Sequence, residues 1–134
     1  MTEQNSENQR IVLIAGSRDD IPESFVYECL NEINWRMIKK VYTGGATGVD
    51  EFAELFIKEN CSNIVIKTIE PNLEKYPPSV APIKRNEKLV NTVDDVVIIW
   101  NGASSGTKFV KDCAESQGKL WKIFLYNQHS LGDF

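Results

Sequence analysis

The chain has 134 residues, a formal net charge of −4 and 42% hydrophobic residues, the makeup of one globular domain able to build a core without staples. The acidic balance argues against nucleic acid as the main partner, because phosphate contacts dominate that kind of affinity and require basic residues. Cys29, Cys61, Cys113 and the single His129 are too widely spread for a zinc set or a disulfide framework, so they read as reduced thiols and an isolated imidazole in a cytoplasmic protein.

Residues 1–10, MTEQNSENQR, are polar and lack the apolar core of a signal peptide, so they are expected to be a disordered lead-in. IVLIAG (11–16) is a continuous apolar run ending in glycine, which suits a strand buried on both faces of a parallel sheet. Asp20-Ile21-Pro22-Glu23 predicts a helix start with Asp20 as the cap, and Phe25, Val26, Cys29, Leu30 and Ile33 follow at helical spacing. KKVYTGG (39–45) predicts a second strand. Val49, Phe52, Ala53, Phe56 and Ile57 then form the stripe of an amphipathic helix that Asn60 can close.

NIVIKTIE (63–70) predicts the third strand. PNLEKYPPSVAP (71–82) holds four of the five prolines and predicts an extended loop. A helix is expected over 83–93, a strand over 94–100, a helix from Thr107 to Gln117 stopped by Gly118, and a strand over 119–126. The tail 127–134 carries no signal. Nothing approaches the apolar length of a membrane span.

Alternating strands and helices predict one α/β domain over 11–126, a Rossmann-like three-layer α/β/α arrangement around a five-stranded, mostly parallel sheet. The favoured strand order is 3-2-1-4-5, which places the loops after strands one and four at a switch point where such sheets bind ligands.

Three strands run into small-residue loops that open helices: AGSRD (15–19), TGGATGVD (43–50) and NGASSGT (101–107). All three are expected on the carboxyl edge of the sheet, presenting free N–H groups where the helix dipole favours an anion. Neither the P-loop pattern nor the G-x-G-x-x-G dinucleotide pattern is present. The candidate ligand-binding residues are therefore Gly16, Ser17 and Arg18 in the first loop and Gly44, Gly45, Gly48 and Asp50 in the second. The third loop adds Gly102, Ser104, Ser105, Gly106 and Thr107.

Several of these residues admit two readings. Thr107 or Ser105 either caps its helix or also touches a ligand. Asp50 follows Thr47 at the spacing of a T-x-x-D capping pair, which spacing favours over a role as acceptor for ribose hydroxyls. Arg18 lies on the ligand edge, where a guanidinium suits phosphate, but a salt-bridged surface arginine reads the same way. Asn86 falls within the stripe of Leu89, Val90 and Val93, so it either ties down the proline loop or, with Arg85, faces the site. Tyr76 either covers a base or pins its own loop.

The set GSRD, GGATGVDEFAELF, PIKRN, DDVVIIWNG and SGTKFVKDCAESQGK, spread over about residues 11–126, resembles the SLOG superfamily, and most of all its stand-alone YspA-type branch. The resemblance implies a Rossmann-like fold with a nucleotide-like ligand at the strand ends. It matches Gly16, Ser17 and Arg18 to the first loop, and Gly44, Gly45, Gly48 and Asp50 to the second. Arg85 and Asn86 match its Arg-Asn pair, and Gly106 and Thr107 match the Gly-Thr that opens the last helix. The superfamily includes LOG phosphoribohydrolases, which cleave nucleoside 5′-monophosphates, DNA-processing proteins, and sensors of ADP-ribose-type signals. The hydrolases carry a catalytic glutamate one turn after that Gly-Thr, and this chain has Val110 there. Glycosidic cleavage needs a carboxylate or its equivalent to stabilise developing charge.

The resulting expectation is a stand-alone binder or sequestrant of a nucleotide or nucleotide-derived ligand, without metal or cofactor. The alternatives are a LOG-like nucleotide N-glycosidase, for which Arg85 is the candidate catalytic residue, and single-stranded nucleic acid binding. By resemblance the chain is expected to form a homodimer.

Overall fold

The computed structural model describes residues 10–127, so most of the expected lead-in, the tail and His129 lie outside the described residues. Five strands form one sheet: β1 (Arg10–Gly16), β2 (Ile38–Thr43), β3 (Val65–Thr68), β4 (Asp95–Trp100) and β5 (Leu120–Leu125). Their order is β3-β2-β1-β4-β5 and every pairing is parallel, as the pattern of buried runs and crossover helices predicts. Four α-helices connect them: α1 (Glu23–Leu30), α2 (Val49–Asn60), α3 (Ala81–Thr92) and α4 (Ser105–Ser116).

Alternation along the central strands builds two cores. Val12 and Ile14 of β1, with Val97 and Ile99 of β4, pack against Val26 and Leu30 of α1 and Ala53 and Ile57 of α2. Leu13, Val96 and Ile98 point the other way, onto Leu89 and Val90 of α3 and Val110 and Ala114 of α4. The α/β/α layering follows from this two-sided burial. No helix among the described residues is long and apolar enough to cross a membrane.

The local departures have physical causes. Arg10 is not part of a lead-in. It begins β1, and its guanidinium holds Asp95 in a forked pair, with Nε 2.7 Å from Oδ2 and Nη2 2.9 Å from Oδ1. Asp20 does not cap α1. It takes a left-handed conformation (φ 72°), and the helix begins at Glu23 after Pro22, whose carbonyl accepts from the N–H groups of Phe25 and Val26. α1 ends at Leu30, and Ile33 reaches the core from the turn that follows. An unforeseen 3₁₀ turn, Trp35–Met37, comes next, where the Trp35 indole donates to the Leu30 carbonyl at 2.8 Å.

β2 stops at Thr43, before the glycine pair, because Gly45 turns into the left-handed region (φ 71°). β3 is only four residues long and lies at the sheet edge with Val65 exposed. The proline loop is folded into turns instead of extended, with Tyr76 N–H donating to the Asn72 carbonyl and Val80 N–H to the Pro77 carbonyl. Pro82 falls within the first turn of α3, where its missing N–H has no intrahelical partner to lose.

Candidate functional site

Ser17 joins the three glycine-bearing loops. Its side chain and backbone are buried, and each polar group has a different partner. Its N–H donates to the Ile99 carbonyl of β4, its carbonyl accepts from Val49 N–H at the start of α2, and its Oγ accepts from Asn101 N–H after β4. Such close crossing requires glycines on either side. A Cβ on Gly16 would lie 2.2 Å from the Ile99 carbonyl oxygen, and one on Gly48 would lie 2.3 Å from the Arg18 carbonyl oxygen, with Gly48 also at φ 78°.

The loops held this way enclose a cavity of about 540 Å³ at the carboxyl ends of β1, β2 and β4. Of the sequence candidates, Gly16, Ser17, Arg18, Gly44, Asp50, Arg85, Asn86, Ser104, Gly106 and Thr107 line it. Gly45, Gly48, Gly102 and Ser105 do not: Gly45 turns toward Thr68 of β3, Gly48 lies beneath the first loop, and Gly102 borders a separate depression beside Tyr126. Asn101, Ala46 and Asp20 also line it and were not among the candidate ligand-binding residues.

Asp50 does not form the capping pair that its spacing suggests. No side chain caps α2. The carboxylate turns back instead, and its Oδ2 accepts from the N–H groups of Gly44 at 3.1 Å and Ala46 at 3.2 Å. Burial pushes the carboxyl up to about 6, against the pull of those two amides and of Arg85, with Glu54 adding to the rise.

Arg85 lies on the buried face of α3, four residues from both Ala81 and Leu89. Its Nη1 donates to the Gly44 carbonyl at 3.0 Å and the Ile69 carbonyl at 3.1 Å, while its Nε donates to Asn86 Oδ1 at 2.8 Å. Nη2 makes no hydrogen bond among the described residues. Burial lowers the guanidinium's affinity for its proton, Asp50 opposes this, and the like charge of Arg18 lowers it further. Arg18 and Arg85 line the same cavity, and two cationic groups on one wall raise a potential that favours an anion. Gly44 lies beside both groups, since a Cβ there would be 3.1 Å from Asp50 Oδ2 and 3.2 Å from Arg85 Nη1.

The amino end of α4 is likewise without a side-chain cap. Neither Ser105 nor Thr107 caps it. Asn101 Oδ1 accepts from Ala103 N–H at 2.8 Å and Ser104 N–H at 3.0 Å, in the turn before the helix, and Ser104 Oγ is 3.3 Å from Thr107 Oγ1. Gly106, in the first turn of α4, lines the cavity, and a Cβ on it would meet nothing within 4 Å. Val110, one turn further on, is buried and lines the same cavity with methyl groups. Tyr76 lies outside this cavity, in a neighbouring groove. Among the described residues no group of three or more His, Cys, Asp or Glu side chains is placed to hold a metal ion.

No family model matches the chain. No curated protein matches it either. Among solved structures, the chain is similar to DNA processing protein A from Helicobacter pylori, a protein described for its single-stranded DNA binding mode. The two are 20% identical with a TM-score of 0.58, over 91% of this chain and 68% of the other. At that identity the likeness shows the fold.

Proposed function

We propose that the chain binds the phosphate and sugar of a nucleotide in the cavity at the ends of β1, β2 and β4, and holds it without cleaving it. The supporting observation is the convergence of the uncapped α4 terminus with Arg18 and Arg85 on one cavity. In this reading the first-turn amides of α4 and the free Nη2 of Arg85 receive the phosphate, and the unengaged Oδ1 of Asp50 accepts from a sugar hydroxyl. A volume of about 540 Å³ suits a ligand of that size. The motif resemblance to the SLOG superfamily agrees with this assignment, and we propose membership on that basis.

Holding is favoured over cleavage because Val110 occupies the wall where the hydrolase relatives carry their glutamate, and Asp50 already has Oδ2 committed to two amides. A second reading extends the ligand to single-stranded nucleic acid. The fold likeness to a protein described for single-stranded DNA binding favours it, and one nucleotide unit of a strand offers the same phosphate and sugar.

The test is a thermal-shift titration with nucleoside monophosphates and a short oligothymidylate, followed by chromatography of the recovered ligand. A shift with intact ligand is the expected result. Released base would overturn the holding role, and no shift with any of these ligands would overturn the site.

A further inference from the structure

We propose that the groove beside the first cavity takes the next nucleotide of a single strand, so that the chain binds at least two consecutive nucleotides with their shared phosphate at Arg85. This rests on the reading of the first cavity as a nucleotide site. The groove has a volume of about 440 Å³ and lies between the proline loop and α3. Its lining includes Lys75, Lys84, Arg85 and Lys88 against only Glu70 and Glu87, a local basic excess in a chain whose total charge is −4.

Arg85 is the partition. It lines both spaces, and its Nη1 is pinned between the Gly44 carbonyl, on the wall of the first, and the Ile69 carbonyl, on the wall of the second. A guanidinium fixed at such a boundary, with Nη2 still uncommitted, is placed for a phosphate that joins one unit to the next.

Tyr76 supplies what a base requires. It is half-buried, lines the groove, and has the Lys75 ammonium 5.4 Å from its ring centroid. An aromatic face with flanking cations is the usual combination for sequence-tolerant strand binding, where stacking contributes about 1–3 kcal/mol per base. Lys88 lies on the exposed side of α3, while Lys84 is loosely paired with Glu87 at 3.5 Å, so these ammonium groups are available for backbone phosphate.

The experiment compares thymidine monophosphate, oligothymidylates of increasing length and a pyrophosphate-linked dinucleotide, on the full chain, by calorimetry or fluorescence. Two variants are used: Tyr76→Ala, and the exposed pair Lys75→Glu/Lys88→Glu, which leaves the core untouched. We expect the oligothymidylate to bind more tightly than the monophosphate. Each variant should weaken oligothymidylate binding by about tenfold while leaving monophosphate affinity within about twofold. The charge variant should also lower the log–log salt slope by about 0.7 for each phosphate that the protein no longer neutralises.

Oligothymidylate binding no tighter than the monophosphate, or unaffected by both variants, overturns the second subsite and leaves the first intact. A pyrophosphate dinucleotide that gains as much as any strand overturns the strand as occupant. Loss of monophosphate binding alone, with variant-sensitive oligothymidylate binding retained, supports the groove and overturns the first cavity instead.

Discussion

Replacing Asp50 by asparagine should stabilise the protein above neutrality while weakening its ligand binding. The carboxyl is held at about 6 in the folded chain against 3.8 ordinarily, with burial as the main cause. That gap of about two pH units corresponds to ~3 kcal/mol. The sign follows from proton binding: between those two values the folded state holds the proton more tightly than the unfolded state. The stabilisation is complete below 3.8 and is lost as pH rises through about 6, above which the ionised group is carried buried at full cost. An asparagine Oδ1 can still accept from the Gly44 and Ala46 amides, and it has no charge to desolvate. Urea unfolding followed by tryptophan fluorescence should therefore give nearly equal stabilities near pH 4. The Asp50→Asn variant should gain between pH 4 and 6 and level off about 2–3 kcal/mol more stable by pH 8. A difference that does not change with pH, or a variant less stable at pH 8, would refute the reasoning. Undiminished nucleotide affinity in the stabilised variant would remove Asp50 from the proposed site.

Other perturbations separate steric from conformational demands. Gly16→Ala drives a Cβ to within 2.2 Å of a backbone oxygen and should cost several kcal/mol. Gly102→Ala meets nothing within 4 Å and should lose only the ~1–2 kcal/mol of its left-handed backbone (φ 84°). Equal losses in urea melts would show that the loop crossing yields more readily than its geometry implies. Ser17→Ala strands the Asn101 N–H and should cost about 1–3 kcal/mol, with faster hydrogen exchange at that amide than at the Val49 amide, whose acceptor is the retained Ser17 carbonyl.

The sheet and its order were legible because IVLIAG and VVIIW are apolar throughout and the helices between strands keep a clean stripe. Local sequence could not show which partner a short polar side chain finds. Asp20 and Asp50 both satisfy capping spacings, yet Asp20 sits in a left-handed turn, and the Asp50 carboxylate reaches amides that precede its helix. Helical spacing placed Asn86 in the buried stripe and left Arg85 beside it. In the fold Arg85 is the more buried, because it shares the Ala81–Leu89 row and its head group finds two carbonyls from distant loops. Asn101 stands outside the candidate residues, although an asparagine one residue past a buried strand carries the signature of the turn it makes. Total charge is equally blind to local arrangement: a sum over the whole surface does not register four basic side chains gathered in one groove.

The residues matched to the ligand edge divide by how much of their hydrogen-bonding capacity the fold consumes. The Ser17 backbone N–H and carbonyl are both spent on binding three loops together, and its Oγ already accepts an amide, so it builds the cavity more than it serves a guest. Gly16 and Gly48 have the same duty in steric form. Arg85 spends Nε and Nη1 on the protein and keeps Nη2. Asp50 spends Oδ2 and keeps Oδ1. The first turn of α4 keeps the amides that a capping side chain would have taken. Every buried side-chain nitrogen or oxygen among the described residues has a partner, so the uncommitted Nη2 and Oδ1 are not sealed in the core. The first cavity thus offers a donor pair, an acceptor and a helix end on its walls, and the same arginine borders the basic groove beyond.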